Sequence, residues 1–201
     1  MTTNIRTANP EDAYAVASLI IEAMSEECCT YFIGPDHTMT DFRLFMAALV
    51  GREDTQYSWK NTLVAVAEDR IAGIAVSYDG MLLRQLRRPF LAGMLRVFNK
   101  DWNDMDDETQ AGELYLDSFA VLAEYRRQGI GRQLLKATWL KAQKMKLPCV
   151  GLLVDEDNRP ALRYYKKLGF AHVDDNTWGG HRMKHLQLPV RHQHLPFSAR
   201  E

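Results

Sequence analysis

The sequence has few cysteines, almost no net charge and no long apolar run, and each shortage argues against a class of protein. Only three of its 201 residues are cysteines, and Cys28 and Cys29 are adjacent, so we expect no disulfide framework. No run of about 18 apolar residues occurs, so we expect no membrane span. The net charge of −1 gives no electrostatic reason for nucleic acid or a membrane surface to be a partner.

The rest of the composition is typical of an enzyme-sized domain in a reducing compartment. The first twelve residues are polar and lack a secretory apolar segment, so we expect a cytoplasmic location. A chain of this length can bury a substantial core. We expect a single domain over residues 1–190, with an insertion at 80–113, and a C-terminal tail at 191–201. His192 and His194 in that tail are not expected to bind metal, because no His/Cys pair has zinc spacing.

The most informative stretch covers residues 114–170. A strand-like run at 114–121 leads through a glycine-containing turn into a long amphipathic helix, and a second strand follows at 149–154. A turn of this kind directs successive backbone N–H groups at one point, where the helix dipole adds positive potential. Gly129 and Gly131 would leave room for an anion to approach the main chain. From the residues alone, the turn therefore predicts an anion site at a helix N-terminus.

The same stretch resembles the GNAT N-acetyltransferases, whose signature is Arg or Gln, two residues, Gly, one residue, and Gly or Ala. A glycine pattern alone would be weak, whereas four ordered elements over about 57 residues are specific. The resemblance implies a mixed α/β fold with a central, mostly antiparallel sheet flanked by helices. The elements that carry it are Arg126-x-x-Gly129-x-Gly131, Val121-x-x-x-Tyr125, Asn158 with Ala161-x-x-x-Tyr165, and Lys167-Leu168-Gly169-Phe170.

The resemblance also implies acetyl-CoA as the co-substrate and no metal. The pyrophosphate is expected on the backbone N–H groups of the turn, and the pantetheine arm along the strand that ends at Val121. The residues that the resemblance assigns to donor binding are Phe119, Val121, Arg126, Arg127, Gln128, Gly129, Ile130, Gly131, Arg132 and Asn158.

Two residues are candidates for the chemistry. Tyr165 matches the family's general acid, which protonates the departing thiolate; the alternative is that it only packs its helix on the sheet. Asp117 precedes Phe119 and Val121 by two and four residues, so a regular strand would place all three on one face. It could take the amine proton, orient a substrate ammonium, or satisfy a buried polar group. Tyr115, at the same parity, lies where some relatives keep a glutamate.

These observations favour an N-acetyltransferase that acts on a primary amine of a small molecule or peptide, by direct attack in a ternary complex. The alternative is a non-catalytic CoA-binding or regulatory module. A Rossmann-type nucleotide domain would need its glycine pattern after the first strand. Cys149, in a strand expected to be buried, is not expected to act as a nucleophile. Asp117 and the acidic residues at 101–113 would favour cationic amines, and a homodimer is compatible with the family.

Hydrophobic periodicity predicts the other elements. Residues 4–8 and 13–24 read as a strand and a helix, and residues 28–32 lie where the resemblance implies an acceptor-facing loop. The remaining expectations are a helix around 42–49, a hairpin at 63–77, a helix at 80–100 that Pro89 either kinks or divides, and closing strands at 171–173 and 183–188.

Overall fold

A computed structural model describes residues 3–190 of the chain, so His192, His194 and the predicted tail lie outside the described residues. These residues form a seven-stranded sheet flanked by six α-helices, which confirms the expected fold class. The strands are β1 Thr3–Thr7, β2 Thr62–Ala67, β3 Arg70–Asp79, β4 Leu114–Val121, β5 Cys149–Asp155, β6 Ala171–Trp178 and β7 His181–Pro189. The helices are α1 Ala13–Met24, α2 Glu26–Ile33, α3 Met39–Val50, α4 Leu83–Phe98, α5 Ile130–Lys144 and α6 Arg159–Lys167.

The sheet has the order β1-β2-β3-β4-β5-β7-β6 and changes character at its centre. Every neighbouring pair is antiparallel except β4 and β5, which are parallel. These two strands pair only at Leu114 with Val150 and at Tyr115 with Gly151. Beyond that point they diverge, so a gap opens inside the sheet between the C-terminal parts of β4 and β5.

Side chains alternate between two cores, one on each face of the sheet. Val64 and Ile74 face the first core, which the helices α1 to α4 cover. Their neighbours Ala65 and Ala75 face the second core, which α5 covers with Leu134 and Trp139. The central strands β2 to β5 are therefore covered on both sides, and the gap between β4 and β5 gives a ligand access to the centre of the sheet.

Local signals explain where several elements begin and turn. Asn9 accepts hydrogen bonds from the N–H groups of Glu11 and Asp12, and Asp12 accepts one from the N–H of Asn9, so a reciprocal cap precedes α1. The β2–β3 hairpin turns at Glu68 and Asp69, whose φ angles of 49° and 58° are those of a type I′ turn. The predicted helix at 13–24 and the hairpin are both present.

Other expectations need correction. Residues 28–32 are not a loop, because Ser25 caps a helix that has Glu26 and Glu27 in its first turn. The insertion contains one continuous helix, α4, with Pro89 inside it. The closing strands are longer than predicted, and only Gly179 and Gly180 separate them. None of the helices within residues 3–190 is long and apolar enough to span a bilayer.

Candidate active site

Two cavities meet at the gap between β4 and β5. One, of about 520 Å³, lies at the acidic end of the gap, and the other, of about 500 Å³, lies at the glycine turn that precedes α5. They are named here the acceptor cavity and the donor cavity, after the positions expected for the amine and for acetyl-CoA. Phe119 and Ala23 line both cavities. β5 does not pair with β4 beyond Tyr115. The edge of β4 that is turned away from β3 therefore presents its backbone N–H and C=O groups to this space.

The glycine turn is built as an anion site, although its two glycines serve different purposes. Gly129 is the N-cap of α5, has a φ of +82°, and has open space where a β-carbon would lie. It supplies no capping side chain, so the first turn of α5 presents main-chain N–H groups to the cavity. Gly131 instead makes room for protein atoms, since a β-carbon there would lie 2.7 Å from the hydroxyl of Tyr164.

The side chains of the turn do not all face the donor cavity. Arg127 and Arg132 line it, and Arg127 has a left-handed backbone with a φ of +60°. Arg126 also lines it, but its guanidinium donates to the carbonyl of Val121 at 2.8 Å and contacts Glu22 at 2.7 Å. Arg126 therefore connects the end of β4 to α1.

Gln128 does not line either cavity, because its amide folds back to the carbonyl of Glu124 at 3.0 Å. The other residues assigned to donor binding line one cavity or both. Phe119 lines both, Asn158 lines the acceptor cavity, and the donor cavity is lined by Val121, Arg126, Arg127, Gly129, Ile130, Gly131 and Arg132.

The strand β4 is not regular at Asp117, so the prediction that Asp117, Phe119 and Val121 share a face is wrong. Ser77 pairs with Leu116 and Val76 with Ser118, which leaves Asp117 as the extra residue of a β-bulge. Phe119 and Val121 pack in the second core, with α5. Asp117 points to the opposite side, where it contacts Gln56 and Tyr78. The bulge thus separates the acidic group from the two residues assigned to the donor.

A buried lysine from the second face holds the bulge. The ammonium of Lys141, on α5, donates to the carbonyl of Ser77 at 2.6 Å, to its hydroxyl at 3.1 Å, and to the carbonyl of Asn61 at 3.0 Å. Burial lowers the pKa of Lys141 to about 8. Ser77 is the β3 residue beside the bulge, so Lys141 fixes the backbone against which Asp117 is displaced.

Asp117 lies in a network of short hydrogen bonds. Its Oδ2 accepts from Gln56 Nε2 at 3.0 Å and from the Tyr78 hydroxyl at 3.1 Å, and its Oδ1 accepts from the Ser118 hydroxyl at 2.8 Å. Burial raises the pKa of Asp117, although these hydrogen bonds and the charge of Arg87 oppose the rise. Tyr115 also lines this cavity but is 5% exposed, and it packs with Tyr78.

A second carboxyl group, Glu108, comes from the insertion. Its Oε2 lies 2.6 Å from Arg87 Nη2 and 2.9 Å from Trp178 Nε1, and the Arg87 and Glu108 side chains are only 4% and 8% exposed. The segment 80–113, for which an insertion was expected, therefore contributes to the acceptor cavity. The sequence analysis expected the acidic residues at 101–113, which include Glu108, to act with Asp117, but it did not single out Gln56, Tyr78, Arg87 or Trp178. A signal existed for Arg87, which falls at helical spacing between the buried residues Leu83 and Phe90 of α4.

Tyr165 and Asn158 lie at the β5 side of the gap. Tyr165 lines the acceptor cavity, and its ring contacts those of Phe119 and Phe170 at centroid distances of 6.3 and 5.4 Å. Burial raises the pKa of the Tyr165 hydroxyl, so the hydroxyl stays protonated near neutral pH. Asn158 accepts the N–H of Ala161 at 3.1 Å as the N-cap of α6, so it orients the helix that carries Tyr165.

The cysteines are not activated as nucleophiles. Cys28 lines the acceptor cavity, but burial raises the pKa of its thiol. Cys149 is half-buried and not fully buried as predicted; its thiol donates to the carbonyl of Gly112 at 3.4 Å, and burial raises its pKa to about 11. Within the part of the chain that the structure describes, no group of three or more His, Cys, Asp or Glu side chains is arranged to hold a metal ion.

Comparison with known proteins identifies a family and individual relatives of this chain. The model of the acetyltransferase (GNAT) family matches residues 22–170. An N-alpha-acetyltransferase of Sulfurisphaera tokodaii is 50% identical over 58 residues, which are 28% of this chain and 34% of that protein. The spermine/spermidine N(1)-acetyltransferase of Bacillus subtilis is 27% identical over 86 residues, which are 42% of this chain and 57% of that protein.

Similarity of structure extends further along the chain. A crystal structure of an acetyltransferase superimposes with a TM-score of 0.75 at 27% identity, covering 94% of this chain and 100% of that chain. The sequence matches are shorter, and this chain spans between 22% and 57% of the lengths of the curated relatives that it matches.

Proposed function

The chain belongs to the acetyltransferase (GNAT) family, and we propose that it transfers an acetyl group from acetyl-CoA to a primary amine by direct attack in a ternary complex. The observation that carries the proposal is the gap between β4 and β5. It joins a glycine turn at a helix N-terminus to a cavity whose lining includes Asp117, Glu108 and Tyr165, and Phe119 lies at the junction.

The donor end suits a pyrophosphate followed by an extended arm. Gly129 leaves the main chain of the turn open, and Arg127 and Arg132 line the same cavity with positive charge. The unpaired edge of β4 offers backbone groups at Phe119 and Val121 to the amides of a pantetheine arm, as an added strand would use them. A backbone N–H of this strand would also stabilise the oxyanion that forms as the thioester is attacked.

The acceptor end suits an amine. Asp117 would take the proton that an ammonium must lose before its nitrogen becomes nucleophilic, and Tyr165 would protonate the leaving thiolate. Both side chains line the acceptor cavity. The family relatives named above act, by their names, on a polyamine and on N-alpha amines, which supports a small molecule or a peptide as the acceptor.

The test is acetyl-CoA turnover, measured as release of free thiol, against a panel of polyamines, amino acids, aminoglycosides and peptides. Amine-dependent release is the expected result, with donor binding by calorimetry in the absence of amine. Donor binding without turnover on any amine would favour a CoA-binding module. No donor binding would contradict the assignment of the glycine turn.

A further inference from the structure

The two carboxyl groups at the acceptor end share their hydrogen-bond partners. Tyr78 and Gln56, which bind Asp117, also contact Glu108: its Oε1 lies 3.2 Å from the Tyr78 hydroxyl and 3.4 Å from Gln56 Nε2. Asp117 lies on β4, and Glu108 lies nine residues earlier, on the irregular segment before that strand. Both line the acceptor cavity. They therefore form one structural unit, named here the carboxyl pair.

The hydrogen-bond geometry at Tyr78 accommodates a proton within the carboxyl pair. A phenol carries one proton, so the Tyr78 hydroxyl can donate to one of its two carboxyl neighbours but not to both. The other contact is a hydrogen bond only when that carboxyl is protonated and donates to the phenol oxygen. Gln56 has two amide protons and can donate to both carboxyl groups. The geometry thus accommodates one proton shared by the pair.

Burial and the charges around the carboxyl pair also favour one bound proton. Burial, followed by the charge of Asp117, raises the pKa of Glu108 to about 7, although Arg87 opposes the rise. Arg87 is the cation in contact with the pair, and it cannot lose its own proton. The other titratable groups around the pair or its partners are Tyr57, Tyr78 and Tyr115, whose pKa values are raised well above 10, with Asp107 beside Arg87 and with Cys28, Asp155, Tyr165 and His181 on the cavity wall.

An unpaired acceptor beside the carboxyl pair points to a ligand with N–H donors. Gln56 is only 3% exposed and lines the cavity, yet its Oε1 accepts no hydrogen bond from the described residues. A buried carbonyl oxygen without a donor destabilises the site, and a ligand that donates to it removes that cost. A primary ammonium has three N–H bonds, so it could donate to Asp117 and to Gln56 together.

We propose that Glu108 is a positioning residue for the transfer, which shares one proton with Asp117 through Tyr78 so that the carboxyl pair receives the ammonium proton of the acceptor. The proposal rests on the proposed function, because it needs an amine substrate. Above the pH at which the pair loses its shared proton, it is doubly ionised before the step and singly protonated after it. One N–H bond of the ammonium breaks, one O–H bond forms on Asp117, and the nitrogen keeps the electron pair with which it attacks.

The first test is the pH profile of kcat/KM for the best amine of the panel. In the wild type we expect the rate to rise with pH through about 7, as the pair loses its shared proton. Glu108→Gln removes the negative charge next to Asp117, so the rise should move to lower pH by more than one unit. Glu113→Gln is the matched control, because Glu113 is a buried carboxyl that lines neither cavity, and its profile should stay where the wild type's is.

A rate that drops by the same factor at every pH in Glu108→Gln would overturn the proposal and leave Glu108 as a structural partner of Arg87. All variants are compared only after thermal melting shows that they are folded at the assay temperature. Tyr78→Phe is a second test of the carboxyl pair, because it removes the bridging hydroxyl and keeps both carboxyl groups. The Tyr78 hydroxyl lowers the pKa of both carboxyl groups, so the profile of this variant should move to higher pH, opposite to that of Glu108→Gln. An unmoved profile contradicts the role of Tyr78 in the pair.

The second test does not depend on activity. Carbon-13 NMR titration of the side-chain carboxyl groups in the full chain, without substrate, should show one group that titrates near neutral pH, and that signal should be missing in Glu108→Gln. If every carboxyl group is ionised by pH 5, the proposal fails even when the enzyme is active. If the shared proton is present but no amine is acetylated, the proposed function fails, and the catalytic role of the pair fails with it.

Discussion

The carboxylate of Glu113 occupies the space into which a β-carbon at Gly151 would project. Glu113 directly precedes β4, and its Oε2 accepts hydrogen bonds from His185 at 2.8 Å and Gln187 at 2.9 Å, both on β7. Its side chain therefore crosses β5 at Gly151, the last residue of β5 that pairs with β4. Glycine at 151 is required by this crossing and not by its backbone angles.

This relationship predicts a large cost for Gly151→Ala. The new methyl group displaces a carboxylate that is fully buried, so we expect a loss of at least about 2 kcal/mol in the free energy of unfolding, measured by urea denaturation. The same substitution made in a Glu113→Ala background should cost much less, since the space is then free. Equal costs in both backgrounds would show that the two residues do not interact.

The Glu113–Gly151 contact also shows why the sequence predicts the elements better than it predicts the site. Residues 13–24 and the β2–β3 hairpin are set by local periodicity and turn chemistry, and they are found where expected. The crossing of Glu113 over Gly151 joins residues 38 positions apart. Nothing in either segment signals the other.

The bulge at Asp117 is a second case in which local pattern is insufficient. The shared face predicted for Asp117 and Phe119 assumed that the run from Leu114 to Val121 is a regular strand. The deviation is fixed from outside by Lys141, which lies 24 residues later on α5. A lysine on the apolar side of a helix was visible in the sequence, but the carbonyl groups that it binds were not.

We therefore expect Lys141→Met to impair both stability and turnover. Methionine fills a similar volume but leaves the carbonyl groups of Asn61 and Ser77 without their donor, at a cost of about 1–3 kcal/mol for each unpaired group. Turnover should fall because the bulge that orients Asp117 relaxes. Lys136→Met, on the exposed side of the same helix, is the control and should leave both the melting temperature and turnover unchanged.

Gly129→Ala should weaken donor binding more than it weakens the fold. The left-handed backbone of Gly129 costs an alanine about 1–2 kcal/mol, and the new methyl group stands in the cavity at the helix N-terminus. Gly180→Ala is matched to it, with a φ of +81° and open space around it, in the β6–β7 turn. The two variants should lose similar stability, whereas calorimetry should show weaker acetyl-CoA binding only in Gly129→Ala.

Tyr165→Phe should reduce kcat and leave donor affinity unchanged. The ring keeps its contacts with Phe119 and Phe170, and only the acidic proton is lost. General acid catalysis of this kind contributes about 100-fold or more, so thiol release should fall by that order. Tyr14→Phe, at an exposed tyrosine of α1, should leave kcat unchanged. Full activity in Tyr165→Phe would mean that the tyrosine only packs α6 on the sheet.

The stability of the fold should fall as the pH rises from about 4.5 to about 7. Glu108 has a raised pKa in the folded state, so in this window the folded chain binds more protons than the unfolded chain. A rise from 4.5 to about 7 corresponds to about 3 kcal/mol lost across the window, with no further loss from this group above it. Urea denaturation at a series of pH values should show this slope in the wild type and a much smaller one in Glu108→Gln.

Glu113→Gln tests a carboxyl group whose pKa is shifted in the opposite direction from that of Glu108. Hydrogen bonds from His185, Thr109 and Gln187 outweigh the effect of burial and lower the pKa of Glu113, so its stabilisation is present above about pH 4.5 and is lost as the pH falls below its folded pKa. The slope between pH 4.5 and 7 should therefore persist in this variant. If the slope disappears with Glu113 instead of with Glu108, the assignment of the neutral-range proton is wrong.

Two residue pairs are all that join β4 to β5, and this has a mechanical consequence. The sheet consists of a four-stranded part and a three-stranded part that meet along an edge only two residues long, and Glu113 crosses that edge. We expect the four-stranded and three-stranded parts to move relative to each other about this joint while each part keeps its own hydrogen bonds. A molecule that pairs with both β4 and β5 would restrict this motion. Amide hydrogen exchange at Phe119 and Leu153 should therefore slow together when acetyl-CoA is added, while exchange at the outer strands β1 and β6 stays the same.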